Sequence, residues 1–292
     1  MRTYLECIPC FFRQALEGSR RAGLSVKKQK KVLDGFAALI PKVSLKLPPP
    51  QIARAGYSIL NKYSSIPDPY KKIKRQSNRL ALRLLGKLKN KVDRARNSLL
   101  AAVELAIAGN IIDFGVKNRL NIKEELKRIT AEKSRAKRRN RIFHYPAFKK
   151  SLKNAKSILY LADNAGEVVF DRILIEEIKK KYPGKIIFYA VKEKPIINDA
   201  LLEDALFCGI DRVARIISNG TDAPGTILSL CSSDFKKIYK SADMVISKGQ
   251  GNFESLSKAK KEIFFLFMVK CPVVAREVKG RIGDYVLLYN KA

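Results

Sequence analysis

From residue 151 onward, short apolar runs alternate with amphipathic stretches, and most of the runs stop at a cluster of small and oxygen-bearing side chains. Runs at 157–161, 186–191, 215–218, 243–247, 263–269 and 285–289 read as strands. The stretches 168–181, 201–207, 226–240 and 253–260 read as helices between them. Apolar strands separated by helices require a mostly parallel sheet covered on both faces. In open sheets of this kind ligands bind outside the carboxyl ends of the strands.

The first half is of another character. Apolar residues recur at helical spacing over 11–22, 26–40 and 51–62, broken by Pro48-Pro49-Pro50 and then by Pro67 and Pro69. Residues 70–108 read as one long basic helix or two. The pattern changes near 146–151, which places a helical region at 1–148 and an α/β region at 149–292.

Four strand ends carry the candidate chemistry. After the first stand Asp163 and Asn164, oxygen donors of the kind hard divalent cations prefer, then Gly166 and Glu167. Asp199 follows the second strand and would add a third oxygen donor. The third end, Ser218-Asn219-Gly220-Thr221-Asp222-Ala223-Pro224-Gly225-Thr226, reads as an anion cradle of backbone N–H groups. At the fourth, Ser247-Lys248-Gly249-Gln250-Gly251-Asn252-Phe253-Glu254, Lys248 is expected to neutralise a phosphate. Each cluster alone is equally well read as a turn with a helix cap. Neither a Walker loop nor the dinucleotide fingerprint is present. Capping alone is a poor account of four such clusters at one sheet edge.

Charge sets a second line of thought. Lys and Arg number 59 against 27 Asp and Glu, a net charge of +32 that favours polyanionic partners. The densest basic run is 127–141, which reads as a solvated helix face or as a nucleic-acid surface. No apolar stretch is long enough to span a membrane, and no signal-peptide pattern opens the chain, so the expected location is the cytoplasm. The five cysteines do not make a disulfide framework, and Cys7-Ile8-Pro9-Cys10 with a single His144 is a poor zinc site.

The ordered set Glu6-Cys7-Ile8-Pro9-Cys10, Gly109-Asn110-Ile111-Ile112-Asp113-Phe114-Gly115, Asp163-Asn164-Ala165-Gly166-Glu167, Asn198-Asp199-Ala200, Thr221-Asp222-Ala223-Pro224-Gly225-Thr226 and Ser247 to Glu254 resembles the DUF89 family of metal-dependent damage-control phosphatases, in its shorter prokaryotic and archaeal branch. The resemblance implies a helical N-terminal region packed on a three-layer α/β/α sandwich with a mostly parallel sheet. It implies Mn²⁺, Co²⁺, Ni²⁺ or Mg²⁺ held by Asp163, Asn164 and Asp199, and hydrolysis of phosphomonoesters of small metabolites such as sugar phosphates or damaged phosphometabolites. Asp163 and Lys248 are then the expected catalytic residues. Asn110, Asp113, Glu167, Thr221, Asp222, Lys248 and Asn252 are expected to bind phosphate or substrate. The competing reading is a basic nucleic-acid-binding protein with an inactive or secondary pocket. A small-molecule methyltransferase fits less well, because no glycine-rich nucleotide loop follows the first strand.

Overall fold

The computed structural model describes residues 1–109 and 139–290. Seven strands form one sheet in the order β1-β7-β6-β5-β2-β3-β4. They are β1 (Arg139–Phe143), β2 (Ser157–Leu161), β3 (Ile186–Val191), β4 (Arg215–Ser218), β5 (Met244–Lys248), β6 (Ile263–Met268) and β7 (Tyr285–Asn290). All neighbouring pairs are parallel except β6 with β7. The chain moves outward from β2 through β3 to β4, then returns to the other side of β2 as β5. The order therefore reverses between β2 and β5, and a crevice opens at their carboxyl ends.

The apolar runs expected at 157–161, 186–191 and 215–218 are strands with those bounds. β1 was not foreseen, and it lengthens the sheet at one edge by pairing with β7. β5 runs one residue further than expected, through Lys248. The helix expected at 226–240 forms only as Ser233–Ser241. Thr226 and Ser232 are committed elsewhere: the Thr226 hydroxyl donates to Asn252 Oδ1, and the Ser232 N–H donates to the Asn219 carbonyl.

Helices α1 (Cys7–Arg21), α2 (Val26–Leu39) and α3 (Pro49–Asn61) pack on one another around Phe36, Ile52, Val32 and Leu60. The stretch 70–108 divides into α4 (Lys71–Asp93) and α5 (Ser98–Ala108), with the Asn97 side chain capping α5. A helix apolar all round has to be buried on all sides. Ser98 aside, the residues of α5 are nearly all buried, and it packs against β6, β7 and α7 (Glu167–Lys181). The short helix α6 (Tyr145–Asn154) precedes β2. Tyr160, Tyr189, Ile246 and Leu266 point to this face of the sheet. Leu159, Val245, Phe265 and Phe267 point to the other, which α9 (Ser233–Ser241), α10 (Gln250–Leu256) and α11 (Pro272–Glu277) cover. Helix α8 (Leu202–Phe207) follows β3. No helix among the described residues is long and apolar enough to cross a membrane.

Candidate active site

The loops after β2 and β3 are held together by backbone. The Ala165 N–H donates to the Asn198 carbonyl at 2.9 Å, and the Ala200 N–H donates to the Asp163 carbonyl at 2.8 Å. Asn164 and Asp199 thus stand opposite each other as an antiparallel bridge. This ladder, rather than either loop alone, brings Asp163, Asn164 and Asp199 to one place at the crevice.

All three line a cavity of about 300 Å³ between the sheet edge and helices α1, α3 and α4. Gln14, Glu17 and Arg21 face it from α1, and Lys74 and Ser77 from α4. Gln250, Gly251, Glu254 and Lys270 complete the wall on the β5–β6 side. Arg21 is fixed by Glu17 Oε1 at 2.7 Å and lies over the Tyr70 ring. Lys74 is buried and paired with Asp68 at 2.7 Å.

The carboxylates are under electrostatic strain. Burial, with Glu167 and Asp199 beside it, pushes the Asp163 carboxyl well above the usual range. Burial raises Asp199 to about 6 although Lys192 opposes the shift. Lys192 Nζ is 3.5 Å from Asp199 Oδ2 and donates to the Gly225 carbonyl. That Asp199 oxygen is buried with no hydrogen-bond partner at normal distance. Glu254, on the cavity wall, is raised to about 7 by burial.

A buried carboxylate oxygen held only by a long 3.5 Å ion pair with Lys192, beside a second buried carboxylate and an amide, is a fitting donor set for a hard divalent cation. Among the described residues no group of three or more Asp, Glu, His or Cys side chains is placed to hold a metal ion. The fit is therefore to a cation that keeps water and substrate oxygens in its remaining positions, as Mg²⁺ and its chemical neighbours do.

Several expected site residues lie elsewhere. Lys248 does not reach the cavity: it is fully buried, with Nζ 2.7 Å from Asp171 Oδ1 and 3.1 Å from Glu167 Oε2. Burial opposes its charge, but the two carboxylates more than offset that and raise its pKa. As the last residue of β5, it projects onto a sheet face instead of over the edge. Glu167 is buried and bonded to Asn164 and Lys248. Asn252 is buried and donates to the carbonyls of Ala162 and Lys248, stapling β2 to β5. The Thr221 hydroxyl accepts from the Ala223 N–H within its own turn. Asp222 pairs with Arg54 at 2.5 Å and borders a separate cavity of about 190 Å³. Asn110, Asp113 and the basic run over 127–138 lie outside the described residues. Cys7 is half-buried and Cys10 exposed, and both are free thiols.

Two residues that the sequence pattern did not single out matter here. Lys270 is exposed on the cavity wall, and its positive charge, like that of Lys248, pulls the Asp163 pKa down against burial and the neighbouring carboxylates. It stands two residues after β6, at the end of the apolar run 263–269, so the strand-end rule applied to Lys248 would have found it. Asp171 anchors Lys248 from within α7, where nothing but its position on a buried helix marks it.

The pattern of the family described as "Damage-control phosphatase ARMT1-like domain" matches residues 3–286. A damage-control phosphatase of Pyrococcus horikoshii is 34% identical over 100% of this chain and 99% of its own length. A damage-control phosphatase of Archaeoglobus fulgidus is 34% identical over 81% of this chain and 79% of its own. The crystal structure of a DUF89 family protein from Pyrococcus horikoshii superposes with a TM-score of 0.89 at 33% identity, each chain covered in full. With the family pattern, the sequence identity and the helical region on a mostly parallel sheet all in agreement, the chain belongs to the DUF89, or ARMT1-like damage-control phosphatase, family.

Proposed function

We propose that the protein is a divalent-metal-dependent phosphatase that hydrolyses phosphomonoesters of small metabolites in the cytoplasm. The observation that carries the reading is the convergence of buried Asp163 and Asp199, through the β2–β3 loop ladder, on a cavity at the sheet's switch point. Asp163, Asn164 and Asp199 would hold the cation, Mn²⁺, Co²⁺, Ni²⁺ or Mg²⁺. Bound there, it would supply neutralisation of charge on the phosphoryl oxygens.

The chain's own groups supply the rest. Lys270 gives the exposed ammonium that draws in and orients the phosphoryl group. Asp163 acts as the nucleophilic carboxylate or orients the attacking water. Glu254, raised to about 7, is poised to give a proton to or take one from the ester side of the substrate. Gln14, Glu17 and Arg21 face the part of the substrate that remains after phosphate leaves. The volume, about 300 Å³, suits a small metabolite and excludes a polymer from the interior. All five cysteines are free thiols, in keeping with a reducing compartment.

The test is hydrolysis of p-nitrophenyl phosphate by chelator-stripped protein with Mn²⁺, Co²⁺, Ni²⁺ and Mg²⁺ restored separately. Metal-dependent turnover that vanishes in Asp163→Ala is the expected result. A folded protein inert with every metal would overturn the proposal.

A further inference from the structure

Glu167 stands beside the proposed metal position but does not line the cavity, and each of its two oxygens accepts from a different side chain. Oε1 accepts from Asn164 Nδ2 at 2.8 Å, and Oε2 accepts from Lys248 Nζ at 3.1 Å. Lys248 passes its second bond to Asp171 Oδ1 at 2.7 Å. Asp171 in turn accepts the hydroxyls of Tyr160 at 2.7 Å and Tyr189 at 2.8 Å. Glu167, Lys248 and Asp171 are each exposed by 1% or less, so water does not substitute for any partner. Tyr160 and Tyr189 face each other across β2 and β3, which fixes the far end of the chain to the sheet.

An amide has one donating end and one accepting end. The donating end of Asn164 is spent on carboxylates: Nδ2 is 2.9 Å from Asp163 Oδ2 as well as 2.8 Å from Glu167 Oε1. Its accepting oxygen is left for the cavity that Asn164 lines. Were the amide turned over, its N–H₂ group would face the cation position and Oδ1 would oppose two carboxylates.

We infer that Glu167 is a positioning residue, held by Lys248 and Asp171, that fixes the Asn164 amide with its oxygen toward the divalent cation. The inference rests on the metal reading above. It makes the buried Lys248 necessary to the site without contact with substrate. Groups that orient metal ligands in this way typically carry about 10–100-fold in metal affinity.

The chemistry suggests a swap that a merely structural acid would not respond to. In Glu167→Gln the new amide can satisfy Lys248 or Asn164, but not both. Accepting from Lys248 through its oxygen, it turns N–H₂ toward Asn164 and drives that amide over. Adding Asn164→Asp removes the conflict with position 167: the amide introduced there donates through its N–H₂ group to the carboxylate introduced at position 164, while the other face of that carboxylate now meets Asp163 Oδ2, a like charge that the cation has to offset.

The measurement is Mn²⁺ affinity of chelator-stripped protein by titration calorimetry, with circular dichroism to confirm folding. Glu167→Gln should bind Mn²⁺ about 10-fold or more weakly. The double variant Asn164→Asp, Glu167→Gln should recover part of that loss. Unchanged affinity in folded Glu167→Gln overturns the inference and leaves the metal reading intact. Failure of the wild-type protein to bind Mn²⁺ overturns both. Should Glu167→Gln alone not fold, the double variant is compared with Asn164→Asp alone, in which the new carboxylate faces both Asp163 and Glu167: tighter Mn²⁺ binding in the double variant supports the inference, and equal or weaker binding overturns it.

Discussion

The carboxylate of Asp163 rests against the bare backbone of Gly249. A Cβ at Gly249 would stand 2.6 Å from Asp163 Oδ1 and closer still to Oδ2. Gly249 also sits at φ +81° and ψ 160°, a region open to glycine almost alone. The strand end after β5 therefore shapes the carboxylate's position from behind. Gly249→Ala should displace Asp163 and abolish metal-dependent turnover, with a stability loss of about 1–3 kcal/mol from backbone strain. Turnover near the wild-type value, with an unchanged melting temperature, would show that Asp163 tolerates the shift and does not depend on this contact.

Lys248 and Lys270 both follow apolar runs, yet the structure gives them opposite surroundings. Removing Lys248 strands Asp171 and Glu167 as buried carboxylates. Breaking such a buried pair costs about 3–5 kcal/mol. Lys248→Met should therefore lower the urea midpoint sharply. Lys270→Ala removes an exposed charge and should leave the midpoint nearly unchanged while cutting kcat/KM by about 100-fold or more. Were the two variants to exchange phenotypes, the assignment of the phosphate-facing cation to Lys270 would be wrong.

The contrast also shows what the sequence could disclose. Strand ends were legible because apolar runs and polar punctuation mark them, and so Asp163, Asn164 and Asp199 could be gathered before any coordinates. Whether a lysine at such an end faces the cleft or the sheet depends on one residue of strand length. Reading β5 as ending at Ser247 put Lys248 in the loop; its true end at Lys248 turns the side chain onto the face shared with Tyr160 and Tyr189. Asp171 was illegible for a related reason. Both faces of α7 are buried, so periodicity does not say which polar position points inward. The wall supplied by α1 and α4 depends on how helices dock, which local pattern does not encode.

Proton and metal should compete at Asp199. Its carboxyl rises from an ordinary 3.8 to about 6 on burial. Below about pH 4 folded and unfolded chains both hold the proton; between about 4 and 6 only the folded chain does. The metal-free protein thus loses this contribution as pH rises through about 6, and Asp163, shifted the same way, adds to the loss. A bound cation favours the ionised carboxylates and reverses the trend. Mn²⁺ should raise the melting temperature much more at about pH 7.5 than at about pH 5.5, both values chosen to bracket about 6. Asp199→Asn should flatten the metal-free pH profile, and equal stabilisation by Mn²⁺ at both pH values would contradict the site.

Asn78 joins the helical region to the α/β region at the first turn of α7. Its Oδ1 accepts from the Gly166 N–H at 2.6 Å, and its Nδ2 donates to Asp204 Oδ1 at 2.7 Å. Gly166, at φ +85°, has no side-chain cap of its own, so the free N–H at the start of α7 is satisfied from α4. Asn78→Ala leaves a buried N–H and a buried carboxylate oxygen without these partners, at a cost of about 1–3 kcal/mol each. Because Gly166 lies between Asn164 and Glu167, the loss should reach the site as well. The expected outcome is a lower melting temperature and weaker Mn²⁺ affinity together. Asn78→Asp keeps the acceptor for Gly166 but faces Asp204 with like charge, so it should retain more metal affinity than Asn78→Ala while still losing stability. Melting curves and Mn²⁺ titrations of the two variants separate the roles: equal metal affinity in both would show that the Gly166 contact holds the helices and not the site.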